Sequence, residues 1–180
     1  MKPQVVIGFL GTTIDAGLGP GRWEKWRPTV SLGMHQDFSP QRIELLLDQR
    51  RFGKLAQQVI ADLATHSPET EVRLHDVYLA DPWDFEGVYA AMFDFARGYA
   101  FDSEHEDYLI HITTGTHVAQ ICWFLLAEAR YVPGRLIQTV PPRKQRAGDP
   151  GGWSIIDLDL ARYDRIAQRF AQVSEETTTF

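Results

Sequence analysis

The sequence predicts an α/β fold with a doubly wound, mostly parallel sheet, and three observations predict it. Apolar runs without polar alternation, such as VVIGFL at residues 5–10, suit strands covered on both faces. Such runs alternate with segments of helical period across connections of a few residues, the pattern of βαβ units. The last two runs have no room for a crossover helix between them, so a C-terminal β-hairpin and a terminal helix close the chain.

The elements follow in order. After the strand at 5–10, right-handed crossover logic asks for a helix within 11–38. Yet RPTVSLGMHQ carries a glycine and β-branched residues that suit a strand almost as well. The expectation is an irregular loop followed by a short helix. RIELLLD (42–48) reads as a strand, and KLAQQVIADLA (54–64) as a helix with Leu55, Val59, Ile60 and Leu63 on one face. EVRLHDVYL (71–79) is the next strand. Asp84 then N-caps a helix over 84–99 that repeats Phe85, Val88, Met92, Phe95 and Tyr99 at threes and fours. DYLIHIT (107–113) is a strand leading into a helix over 116–130, with Val118, Ile121, Leu125 and Ala129 as its inner face. Strands at 135–140 and 153–159 flank VPPRKQRAGDPGGW, a long hairpin connection with a basic tip. Residues 161–176 form the terminal helix, with Tyr163, Ile166, Phe170 and Val173 on one side.

With 180 residues, 44% hydrophobic and 23% charged, the chain is expected to be one domain, able to remove roughly 70% of its unfolded surface from water. The opening apolar run is too short for a signal segment, and no later run approaches the ~20 residues of a membrane span. A soluble, cytoplasmic protein is expected, with no membrane partner. The single cysteine, Cys122, has no partner for a disulfide or a zinc site and is read as core. A net charge of −6 argues against non-specific binding to long nucleic acid. The charge is uneven, however: residues 21–54 hold seven basic and four acidic residues, 134–146 four basic and none acidic, and 69–107 two basic and eleven acidic. An anionic ligand would be drawn to the first two segments.

In open parallel sheets, ligands sit beyond the carboxyl ends of strands, where successive connections diverge to opposite faces. With strand order 3-2-1-4-5 that point lies between the strands at 5–10 and 107–113, each followed by a glycine-threonine turn. The first turn is Gly11, Thr12 and Thr13; the second is Thr113, Thr114, Gly115, Thr116 and His117. A helix starting near Thr116 presents unpaired N–H groups and partial positive charge to an anion, Gly115 lets backbone approach closely, and Thr114 and Thr116 add hydroxyls. His117 can donate to a phosphate or a base. The competing reading is that Thr114 or Thr116 only caps the helix.

The insert GLGPGRWEKWRP (17–28) interleaves Arg22, Lys25 and Arg27 with Trp23 and Trp26, a combination that can neutralise phosphates while stacking bases. The tryptophans can equally cover a core edge or a partner subunit. Trp83, in DPWDF, is a weaker candidate for the same rim. His111 reads as a core residue, and the other histidines lack ligand spacing, so neither a metal site nor a metal cofactor is expected. There is no GxxxxGK[ST] and no GxGxxG at a strand-helix turn, so no nucleotide cofactor is expected either.

Four stretches, VVIGFLGTT, GRWEKWRPTVSL, DPWDFEGVYAAMFDFARGY and HITTGTHVAQICWFLLAEARYVPGRLIQT, together resemble the N-terminal regulatory domains of the RtcR family of RNA-repair transcriptional activators. These belong to the CARF group, the CRISPR-associated Rossmann-fold sensors. The resemblance spans essentially the whole chain and implies a single Rossmann-like ligand-sensing domain over 1–180, excised from a longer sigma-54-dependent activator. In such an activator the domain restrains an AAA+ ATPase that acts on sigma-54 RNA polymerase, with promoter DNA held by another segment, until an RNA-damage signal binds. The resemblance further implies a homodimer holding an oligonucleotide, with Gly11, Thr12, Thr13 and Thr113 to His117 in the ligand positions. His117 stands where many relatives carry lysine or arginine, and the tryptophan-rich insert is a second departure. Both turn the expectation from cyclic oligoadenylate toward an RNA fragment or end, with a 2′,3′-cyclic phosphate fitting the activator's role.

Two functional readings follow. The leading one is a non-enzymatic sensor with no catalytic residue. The alternative is a ring-nuclease-like enzyme that cleaves a cyclic oligoadenylate or short RNA, with His117 and Thr114 assisting attack of a ribose hydroxyl on its own phosphate.

Overall fold

The run VVIGF lies in β1 (Gln4–Phe9), and Val5, Val6 and Ile7 are 0% exposed. The computed structural model, which describes residues 1–144 and 146–157, explains this burial by placing β1 inside the sheet. β1 pairs in parallel with β2 (Arg42–Leu47) on one side and with β4 (Asp107–His111) on the other. With β3 (Glu71–Asp76), β5 (Gly134–Val140) and β6 (Gly152–Ile156), the order is β3-β2-β1-β4-β5-β6. β5 and β6 are antiparallel, from Leu136 opposite Ile156 to Val140 opposite Gly152, which is the expected hairpin. The proposed terminal helix over 161–176 lies outside the described residues.

Strand geometry sends alternate side chains of β1 to opposite faces. Val5, Ile7 and Phe9 enter one core with α3 (Phe85–Gly98) and α4 (His117–Glu128), while Val6 enters a second core with α1 (Pro28–Ser31) and α2 (Gln49–Ala64). Each such side chain contributes roughly 1.5–3 kcal/mol relative to exposure. Helices therefore cover both faces, as a doubly wound sheet requires. Asp84 caps α3 by accepting from the Gly87 N–H at 3.0 Å. Residues 11–38 are a loop with a 3₁₀ turn at Pro20–Glu24, then α1, matching the loop and short helix expected there.

Two expectations need correction. α2 begins at Gln49, five residues before the apolar period, because the Asp48 carboxylate accepts from the N–H groups of Arg50 (3.1 Å) and Arg51 (3.4 Å) and so extends the helix through a polar first turn. α4 is rotated about its axis: Val118, Ala119, Cys122, Trp123 and Leu126 are its inner face, whereas Ile121 is 49% and Leu125 38% exposed. α4 is apolar on nearly every side, so its period does not select the buried stripe.

His111 joins β4 to its neighbours. Gly8 leaves the space it fills, since a Cβ there would lie 2.9 Å from His111 Cβ, and His111 Nε2 is 2.8 Å from Thr139 Oγ1. Burial pushes the imidazole down to about 3, so it is neutral in the folded chain. The unfolded chain takes up this proton near pH ~6.5. Because the folded value is the lower one, His111 leaves stability intact above that pH and removes it as pH falls toward 3. We therefore predict that His111→Asn unfolds with a shallower pH dependence than the parent between pH 6.5 and 4, the slope differing by up to about 1.4 kcal/mol per pH unit. Urea denaturation across this range measures it, and equal slopes would remove His111 as the acid-sensitive group.

Candidate functional site

β1 and β4 are neighbours, and the chain leaves them toward opposite faces, to α1 and to α4. The turns that follow them consequently face each other across the carboxyl edge of the sheet. In the first, the Gly11 N–H donates to Asp15 Oδ2 at 2.9 Å and the Asp15 N–H returns a bond to the Gly11 carbonyl at 2.8 Å. This closes a tight loop with Thr12 and Thr13 exposed at its tip. A Cβ at Gly11 would crowd the Ile14 side chain and the Asp15 carboxylate, so a larger residue would have to displace one of them. Burial pushes the Asp15 carboxyl above the usual aspartate range, against opposing pulls from Thr29, Gly11 and Arg27.

In the second turn the hydroxyls divide their roles. Thr113 Oγ1 donates to the Thr139 carbonyl at 3.0 Å and accepts from the Thr139 N–H at 2.8 Å, which ties the turn to β5. Thr114 is 1% exposed, and its hydroxyl has no hydrogen-bond partner among the described residues. Gly115 adopts φ +85°, a left-handed conformation that favours glycine. Thr116 caps α4, accepting from the Ala119 N–H at 3.2 Å and donating to the Pro82 carbonyl at 2.9 Å. The capping alternative thus holds for Thr116, and its hydroxyl is engaged.

Between the turns lies a crevice of about 420 Å³. Thr12, Thr13, Gly11, Gly115 and Thr116 line it, over apolar Phe9, Leu47, Val77 and Leu79. Across from the threonines stand Asp48, Arg51 and Phe52 of the α2 start, with Trp83 at the rim. Asp48 and Arg51 are the only charged residues in the lining among those described. Two helix starts thus border the crevice, and they differ. The α2 start carries its own carboxylate cap, whereas the α4 start is capped by a neutral hydroxyl, so the unneutralised positive end is on the threonine side.

His117 is exposed and packs on Trp83, ring centroids 5.2 Å apart. It does not line this crevice; it borders an apolar strip of about 320 Å³ with Ile112, Ile121, Phe124 and Leu136. Arg22, Trp23, Trp26 and Arg27 are not brought to the crevice either. Arg22 Nε and Arg27 Nη1 both bind Asp62 Oδ2 of α2, at 2.7 and 2.8 Å. Both guanidiniums lie over Trp23, and Trp26 Nε1 donates to the Pro150 carbonyl at 2.9 Å. Burial is the largest single influence on the Asp62 carboxyl and raises it, but three partners, Arg22, Arg27 and Gln58, hold it below the ordinary aspartate range.

Sequence reasoning placed Trp83 near the rim and missed Arg51, Phe52 and Asp48. The available signal was the aspartate closing LLLD just before QRR, a strand-end N-cap that puts the following arginines on the first helical turn. Among the described residues, no group of three or more His, Cys, Asp or Glu could hold a metal ion, and no helix is long and apolar enough to cross a membrane.

Residues 2–180 match the family described as "Regulator of RNA terminal phosphate cyclase". The chain is 56% identical over 182 residues to the transcriptional regulatory protein RtcR of Escherichia coli (strain K12), a match that covers 100% of this chain and 34% of that protein. The chain thus spans about a third of that relative's length. Among solved structures, Enterococcus italicus Csm6 bound to cyclic hexa-2′-fluoro-hexa-dAMP is similar with a TM-score of 0.61 at 12% identity, covering 99% of this chain and 48% of that one. This last likeness is one of fold.

Asp62 gives the insert a measurable role. Removing Arg27, whose side chain is 1% exposed, leaves a buried carboxylate short of a partner. We predict that Arg27→Ala lowers the unfolding free energy by about 3 kcal/mol, read by urea denaturation. A loss below about 1 kcal/mol would show that Asp62 is satisfied without it.

Proposed function

The chain belongs to the family of regulators of RNA terminal phosphate cyclase, and from that premise we propose that it is the ligand-sensing domain of such a regulator. It binds an RNA fragment or RNA end in the crevice between the two threonine turns. The observation that carries this reading is the crevice itself: exposed Thr12 and Thr13, Gly115 and the neutral-capped α4 start with Trp83 beside it, an apolar floor, and Arg51 from the α2 start. The polar side suits a phosphate, and the apolar recess under Trp83 suits a base. Asp48 balances Arg51, so a singly charged group such as a 2′,3′-cyclic phosphate fits better than a doubly charged monoester. In the longer protein, occupancy relieves inhibition of an AAA+ ATPase acting on sigma-54 RNA polymerase at promoter DNA.

The sensor is a homodimer. α4 turns Ile121, Phe124 and Leu125 outward, at 49%, 44% and 38% exposure, and this face continues into the apolar strip beside His117. A second copy would cover it. The domain does not turn its ligand over. The pair that the nuclease alternative relies on is split, since Thr114 is buried while His117 is exposed.

Binding is tested with short fluorescent RNAs that differ only at the 3′ end. The cyclic-phosphate form should bind at least about tenfold tighter than the monoester, and Arg51→Ala should cost about 1–3 kcal/mol. Added salt should weaken binding only modestly, because one cation contacts the ligand. His117→Ala should weaken binding indirectly, by removing the ring against which the crevice residue Trp83 packs, while stoichiometric RNA is recovered intact from the parent. Repeated turnover abolished by His117→Ala would establish the nuclease instead. Sedimentation should give the mass of two chains, and Phe124→Asp the mass of one; a monomeric parent at micromolar concentration would exclude the dimer.

A further inference from the structure

Asp15 is 0% exposed and lies in a loop, where nothing requires a carboxylate for solubility. Its two carboxylate oxygens collect three donors, and its backbone N–H separately makes the turn's return bond to the Gly11 carbonyl. Oδ2 takes the Gly11 N–H at 2.9 Å and the Thr29 hydroxyl at 2.5 Å, and Oδ1 takes the Thr29 N–H at 2.9 Å. Gly11 begins the turn that carries Thr12 and Thr13. Thr29 lies in α1, whose own cap position, Arg27, supplies no side-chain bond to the helix. One buried carboxylate thus ties the threonine turn to the end of the arginine-tryptophan insert.

The connection continues. Arg27 attracts Asp15 and bonds Asp62, which also binds Arg22 and, at 2.9 Å, Gln58 of α2. Charges alternate along this path: Asp15, Arg27, Asp62, Arg22. Asp62 holds both arginines by direct bonds, whereas Asp15 feels the charge of Arg27 without a bond to it, and Asp15, Arg27 and Asp62 are each 3% exposed or less.

Resting on the reading of the crevice as the ligand site, we propose that Asp15 is its positioning residue. It sets Thr12 and Thr13 through Gly11, and the insert serves the ligand as the brace that holds Asp15, through Thr29 and Arg27, without touching the ligand. This gives the insert a purpose that its distance from the crevice otherwise leaves unexplained.

Thr29 supplies the cleanest test, since its variants are near-isosteric. Thr29→Val removes the hydroxyl bond and Thr29→Ser restores it; Asp15→Asn disturbs all three bonds and is the more severe variant. Three quantities are read on the 180-residue chain: melting temperature, affinity for a short RNA ending in a 2′,3′-cyclic phosphate, and the ¹⁵N–¹H shifts of Gly11, Thr12 and Thr13. In Thr29→Val the three amides should move and affinity fall at least about fivefold, with Thr29→Ser bringing both back. A purely structural role would lower the melting temperature without moving affinity and shifts together, or without rescue by serine. Wild-type affinity in folded Thr29→Val and Asp15→Asn, whether or not the amides move, overturns the proposal. If the parent binds no RNA, the sensor reading fails separately. The amides alone then decide: movement in Thr29→Val with return in Thr29→Ser upholds Asp15 as the setter of the turn, and unmoved amides overturn it.

Discussion

The burial of β1 between β2 and β4 is the constraint from which the site follows. A strand with no polar side chain after Gln4 has to be covered on both faces, which places it inside the sheet and sends the chain to β2 on one side and β4 on the other. Parallel register then aligns what comes next: Ile7 sits beside Ile110, so the turns after Phe9 and after His111 open at the same height. Close approach at this seam depends on Gly8, whose missing Cβ makes room for His111. Helices leaving to opposite faces cannot fill the gap above the strands. A crevice at that edge is what remains.

The charge of the site is set by which carboxylates meet which arginines, and this reverses the impression given by composition. Residues 21–54 look like a cationic segment. Folding commits Arg22 and Arg27 to Asp62, and Arg42 to Glu44 and Glu106, with Arg42–Glu106 contacts of 2.7 and 2.8 Å. Glu44 is fully buried and also takes the Tyr99 hydroxyl at 2.6 Å and His75 Nε2 at 2.6 Å, partners that hold its carboxyl below the ordinary glutamate range against the burial that opposes them. These pairs fasten β2 to its neighbours and the insert to α2. Arg51, on an exposed first turn, is the cation of that segment that lines the crevice.

What the sequence reveals is what depends on local chemistry. Continuous apolar runs mark the buried strands, Asp84 and Thr116 mark helix starts, and the crowded Pro-Gly connection marks the hairpin, because each of these works through its immediate neighbours. Asp15 shows the opposite case. It lies between Ile14 and Ala16 in an irregular stretch, and its three donors come from Gly11 and from Thr29, fourteen positions away. Asp62 is similar: within a helix of ordinary period it looks like a solvated charge, and only the fold brings two arginines over it. Rotation of α4 escapes sequence reading for another reason. With apolar residues on nearly all sides, the choice of inner stripe is made by Phe9 and by the α3 residues that Cys122 and Trp123 pack against, as in the Phe9–Trp123 ring contact at 5.9 Å.

That rotation connects the crevice to the outer surface. α4 has twelve residues, a rod of about 18 Å, and its first turn borders two environments at once. Thr116 and Ala119 face the crevice, while His117, Gln120 and Ile121 face the apolar strip. Trp83 spans both, lining the crevice and packing on His117. A rigid helix cannot shift its cap without shifting the residues one position further on. If two copies pair along Ile121 and Phe124, a ligand that moves the Thr116 turn therefore moves the contact between them. The route from an occupied crevice to a changed assembly then needs no longer path than the first turn of one helix.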